Sequence, residues 1–128
     1  MNLLLDTHAL LWSVSAPQRL SGAARSAVSD RANRVVVSSA SAWEMAIKRR
    51  LGRFPEAAAL LDRLDAHLRR AGYEALPISL DHAVAAGGLP GPHKDPFDRM
   101  LIAQARLEEL TIVSLDPVFR LYEASVLW

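Results

Sequence analysis

Two kinds of apolar pattern alternate along this chain. Asn2–Leu5 and Val35–Val37 are short, continuous apolar runs, the second wholly β-branched, and both read as strands buried on two faces. Between such runs the apolar positions recur every three or four residues, the spacing of an amphipathic helix. Helices are expected through Ala9–Trp12 and over Ala23–Asp30. Another begins at Ser39–Ser41, carries Trp43, Ala46, Ile47 and Leu51 on one face, and stops at Gly52. Pro55 and Glu56 open the most regular helix, with Ala57, Leu60, Leu61, Leu64 and Leu68 inward and Gly72 as its stop. Glu74–Ile78 is a weaker strand and Leu80–Ala86 a short helix, followed by the loop Gly87–Lys94. Asp95-Pro96 starts a helix with Phe97, Leu101, Ile102 and Ala105 on its inner side. Thr111–Leu115 is a strand, Pro117–Leu121 a helical turn, and Ser125–Leu127 a last edge strand. Strands alternating with helices predict a three-layer α/β/α fold: one domain over residues 1–128 around a parallel sheet of four to five strands.

Composition narrows the chemistry. The 128 residues suffice for one core and not for two. The formal net charge of +1 means that nucleic-acid contact has to come from a local patch. With no cysteine, disulfides, thiolate catalysis and thiolate zinc sites are all excluded. The opening MNLLLDTHALLW lacks a basic leader, Asp6 interrupts its apolar run, and no stretch approaches the roughly 20 apolar residues of a membrane span. A soluble, cytoplasmic protein without membrane contact is expected.

Four acids fall where a strand hands over to a helix: Asp6, Glu44, Asp98 and Asp116. In a parallel α/β unit, helix N-termini and strand C-termini share one edge of the sheet, where such folds hold their ligands. Each acid also has a bland role. Asp6 and Asp116 can cap helices, and Asp95 can cap the helix that Pro96 opens. Ser41-Ala42-Trp43-Glu44 matches a capping box, and Glu44 can pair with Lys48 one turn on. Neutral residues would cap as well without repelling one another, so four carboxylates on one edge favour a site for a hard divalent cation. Oxygen ligands suit Mg²⁺ or Mn²⁺ and argue against zinc or copper. Asp98 is expected in the crevice and Asp95 at the cap.

These motifs, Leu4-Leu5-Asp6-Thr7-His8, Ser39-Ala40-Ser41-Ala42-Trp43-Glu44, Asp95-Pro96-Phe97-Asp98-Arg99 with Leu101–Ala105, and Ser114-Leu115-Asp116, stand in order along the chain. Together they resemble a PIN-domain ribonuclease, specifically a VapC-type toxin of a toxin–antitoxin pair. The resemblance implies a central parallel sheet, a Mg²⁺ or Mn²⁺ site and endonucleolytic cleavage of RNA. It implies an acidic quartet of Asp6, Glu44, Asp98 and Asp116, with Asp95 inside the matching motif and Thr7 supporting a ligand or water. It also implies a homodimer and a cognate antitoxin that lays a segment across the site.

Binding surfaces are less defined. Lys48, Arg49, Arg50 and Arg53 form the densest basic stretch, either a solvated helix end or a rim that contacts phosphate. Arg99 and His93-Lys94 are further rim candidates, whereas Arg69 and Arg70 read as surface. His8, His67 and His82 have no acidic partner at metal spacing, and Trp12, Trp43 and Trp128 read as core or interface. Two other classes compete. An aspartyl-phosphate phosphatase needs a second acid two residues after the first, where His8 stands. A receiver-like or protein-binding domain whose acids only cap remains the non-catalytic alternative, although no Lys follows Thr111–Leu115.

Overall fold

A computed structural model describes residues 1–128. Its centre is a five-stranded parallel sheet of β1 (Asn2–Leu5), β2 (Arg34–Ser38), β3 (Glu74–Leu76), β4 (Thr111–Val113) and β5 (Val126–Leu127), ordered β3-β2-β1-β4-β5. The helices are α1 (Thr7–Ser15), α2 (Gly22–Ser29), α3 (Ser39–Arg50), α4 (Ala58–Asp62), α5 (Leu64–Ala71), α6 (Leu80–Gly88), α7 (Pro96–Leu107) and α8 (Val118–Leu121). The expected three-layer architecture is therefore present, with both faces of the sheet covered.

Strand alternation divides the core in two. Leu3, Leu5, Val35, Val37 and Val113 face one layer, where Leu10 and Leu11 of α1, Met45 of α3 and Leu60 of α4 pack. Leu4, Val36 and Ile112 face the other, against Leu101 and Ile102 of α7 and Phe119 of α8. Side chains of this kind each contribute roughly 1.5–3 kcal/mol on burial. β1 is central, so Leu3, Leu4 and Leu5 are wholly buried.

Three local expectations need correction. The helix expected from Pro55 to Gly72 is broken at Arg63, whose φ of −137° and ψ of 41° separate α4 from α5. The leucine spacing runs through that break because both pieces pack on the same layer. In α3 the buried residues are Ala40, Ser41, Glu44 and Met45, while Trp43 is 58% exposed and meets Phe97 edge-on at 5.2 Å. The capping box at Ser41 is absent. Ser38 caps α3 instead, accepting from the Ala40 N–H at 3.0 Å, and this frees Glu44 for other contacts.

The loop between α6 and α7 is tied down from both sides. Arg99 donates to the carbonyls of Leu89 and His93, and the Tyr122 hydroxyl accepts from the His93 N–H at 3.0 Å. Gly91 has φ +109°, and a Cβ there would stand 2.7 Å from the Tyr122 ring. Only glycine fits this turn.

Candidate functional site

The segments that follow β1 and β4, the first turns of α1 and α7 and the middle of α3 surround a cavity of about 520 Å³. Asp6, Thr7, Glu44, Asp98 and Asp116 all line it, and so do Lys48 and Asp95. Two further candidates do not. Arg49 pairs with Asp62 on the surface at 2.8 Å, and Arg99 is spent on the loop carbonyls.

Each acid is held differently. Asp6 caps α1, one oxygen accepting from the Ala9 N–H at 2.7 Å and the other from the Ser114 hydroxyl. Ser114 in turn accepts from the Asp116 N–H at 2.9 Å, so one hydroxyl joins the acids that follow β1 and β4. Glu44 is 9% exposed and has both oxygens engaged, Oε1 by the Thr7 hydroxyl at 2.6 Å and Oε2 by Lys48 Nζ at 2.7 Å. Asp98 meets His93 Nε2 at 2.8 Å. Asp116 is exposed and accepts from the Val118 N–H at 3.0 Å. Asp95 combines the two roles weighed for it, capping α7 through the Phe97 and Asp98 N–H groups while lining the cavity.

Burial raises the pKa of Asp6 against the lowering effect of Ser114 and Ala9, with Asp116 adding to the rise. Asp98 is pushed up to about 6, first by burial, then by the charges of Asp95 and Glu44, while His93 pulls it down. Negative charge is therefore in excess at the floor of the cavity. The ligating atoms of His93, Asp95 and Asp98 lie within 4.8 Å of one another, a spacing that a cation could bridge. A carboxylate-rich donor set fits Mg²⁺ or Mn²⁺. The imidazole of His93 adds a nitrogen that tolerates Mn²⁺ and softer ions better than Mg²⁺.

Sequence reasoning missed Ser114 as a bridge and His93 as an Asp98 partner. The signal for Ser114 was its place two residues before Asp116; for His93 there was none beyond proximity to the Asp95 motif. His82 needs correcting too. Its Nε2 lies 2.9 Å from Glu108 and its Nδ1 accepts from the Ser79 N–H, so it is a buried strut with an acidic partner distant in sequence.

A family profile described as the PIN domain matches residues 3–124. The chain belongs to the PIN domain family, as its motifs led us to expect. Among individual relatives it is 40% identical to Ribonuclease VapC16 of Mycobacterium tuberculosis over 62 residues, 48% of this chain and 43% of that protein, so the match spans less than half of the relative's length. Solved structures share the fold over nearly the whole chain. VapBC2 from Rickettsia felis, bound to a DNA fragment from its promoter, has a TM-score of 0.70 at 16% identity, covering 99% of this chain and 98% of that one. Mycobacterium tuberculosis VapC20, described as a Sarcin-Ricin loop cleaving toxin, has a TM-score of 0.64 at 17% identity, covering 95% of each. No helix is long and apolar enough to cross a membrane.

Proposed function

We propose that residues 1–128 form one metal-dependent nuclease domain that cleaves RNA phosphodiester bonds endonucleolytically, as the toxin of a toxin–antitoxin pair. The observation that carries this reading is the meeting of Asp6, Glu44, Asp98 and Asp116, 110 positions apart at the extremes, on one cavity. Capping alone does not account for Glu44, which caps nothing and is held inside by Thr7 and Lys48. The similarity to proteins named as ribonucleases and toxins supports the same reading.

The carboxylates of Asp6, Asp98 and Asp116 are the proposed ligands, with Glu44 joining them directly or through a water. Bound Mg²⁺ or Mn²⁺ would supply charge neutralisation at phosphate and activation of a water. The chain's own part is preorganisation. Ser114 and the α1 N-terminus fix Asp6, Thr7 orients Glu44, and Lys48 offsets charge beside it. Of the three expected phosphate contacts, Arg49 and Arg99 are engaged away from the cavity, which leaves Lys48 as the better placed. We further propose a cytoplasmic location, a homodimer, and a cognate antitoxin that covers the cavity.

The test is cleavage of mixed RNA with Mg²⁺ or Mn²⁺. Asp6→Asn, Glu44→Gln, Asp98→Asn and Asp116→Asn should each lower cleavage at least a hundredfold in three cases of the four, roughly the cost of removing one charged catalytic group, and chelator should abolish it in the wild type. Full activity in all four variants would sink the reading.

A further inference from the structure

The cavity has a second wall that the acids do not use. Besides the carboxylates it is lined by His8, Trp12 and Arg19, the last at the end of the short turn Pro17–Arg19. The Arg19 guanidinium sits 4.5 Å from the centre of the Trp12 ring. Trp12 is itself braced by Trp128 at 5.9 Å and by His8 at 5.5 Å, and His8 by Phe54 at 5.1 Å. The Arg19 guanidinium makes no hydrogen bond and no ion pair, although six acidic side chains share the cavity with it. The other permanent cation there, Lys48, is bound to Glu44. Arg50 and Arg53 do not line the cavity. Arg19 is thus the one cation of the cavity whose charge and five donors are uncommitted.

Resting on the nuclease reading above, we propose that Trp12 and Arg19 form a nucleotide subsite that holds the phosphate and base next to the bond being cut. A guanidinium stacked on an indole keeps its fork of N–H donors free at the edge, the arrangement that grips phosphate bidentately. Its outer face, turned away from Trp12, offers a surface on which an unpaired base stacks. The cavity's 520 Å³ lies within the roughly 300–1,000 Å³ of ligand sites. The acids then engage one phosphate and Arg19 its neighbour, which orients the strand across the site. This selects single-stranded RNA, because a stacked, paired base has no free face to offer.

The experiment measures cleavage kinetics of an unpaired RNA and, separately, binding of the same RNA in chelator, where it is not cut, read by tryptophan fluorescence. Arg19→Ala should raise KM and weaken binding about tenfold, reduce kcat far less, and lower the slope of binding against salt by about one. Arg19→Lys should keep the salt slope and recover part of the affinity. Melting temperatures of both variants report folding, which an exposed arginine should leave unchanged. An unchanged KM and salt slope in Arg19→Ala, with the wild type cleaving, overturns the subsite and leaves the nuclease standing. A wild type that binds the oligonucleotide without cleaving it defeats the nuclease reading, while the Arg19 loss would still establish the subsite. If a glutamate-rich peptide displaces the oligonucleotide more effectively than RNA does, the wall belongs to a protein segment and the proposal is overturned.

Discussion

Asp6 and Asp98 line the same cavity, and burial raises the pKa of both, yet they are built on different terms. Asp6 is almost sealed, follows the central strand, and has both oxygens accepting fixed protein donors. Asp98 stands at a half-buried helix start with a single side-chain partner, His93, which comes from the loop. Asp6 is thus part of the frame of the sheet, whereas Asp98 can change protonation or partner without disturbing it. The comparison teaches that one carboxylate positions the site and the other adjusts it.

The largest effect that would sharpen this contrast is on pH dependence. With Asp98 titrating near 6, cleavage at limiting metal should fall about tenfold per pH unit below that value. Saturating Mn²⁺ should move the fall to lower pH, since cation and proton compete for the same oxygens. A flat profile between pH 5 and 7 would break the assignment of Asp98 as the adjustable acid.

Stability should divide the pair next. The Asp98 pKa rises from the ordinary 3.8 to about 6 on folding, so the folded chain binds its proton more tightly than the unfolded chain. Stability contributed by this group therefore falls as pH climbs from about 4 to 6 and stays low above, by roughly 3 kcal/mol at most. Asp98→Asn should accordingly raise the melting temperature at pH 7 and leave it unaltered near pH 4, as read by calorimetry. Asp6→Asn should gain less at pH 7, because relief of its own buried charge is set against a new mismatch. Its amide NH₂ would meet a Ser114 hydroxyl already committed as donor to that position and acceptor from Asp116, a mismatch of about 1–3 kcal/mol. Equal shifts of one sign in both variants would dissolve the distinction.

Smaller effects follow from the supporting hydroxyls. Ser114→Ala removes a donor to Asp6 and an acceptor for the Asp116 N–H, and should lower stability by about 1–2 kcal/mol. It should also reduce cleavage more than tenfold by loosening two acids together. Thr7→Val leaves Glu44 with Lys48 alone and should cost about 1 kcal/mol or less, visible as a small drop in melting temperature and in kcat.

Much of this arrangement was legible in the residues. Leu3–Leu5 and Val35–Val37 announced central strands because both faces of each are buried, and Asp95-Pro96 announced the start of α7. The convergence of the four acids followed from topology alone, since parallel strands bring successive loops to one edge. What stayed hidden was non-local or conformational. The break at Arg63 depends on a single backbone angle and leaves no mark on the leucine spacing. The rotation of α3 that exposes Trp43 reflects where Glu44 and Met45 find partners on α1 and in the core layer they share with it, which no window of α3 contains. The pairing of Ser114 with Asp6 spans 108 positions, and that of Arg19 with Trp12 needs a turn whose shape the local sequence does not dictate.

The Ser114 bridge has a bearing on how such a protein is made. Because the hydroxyl that orders Asp6 directly follows β4, 108 positions further along the chain, a fragment that stops before Ser114 lacks Asp116 and the clamp on Asp6 together. Nascent or truncated chains hold an unfinished hollow.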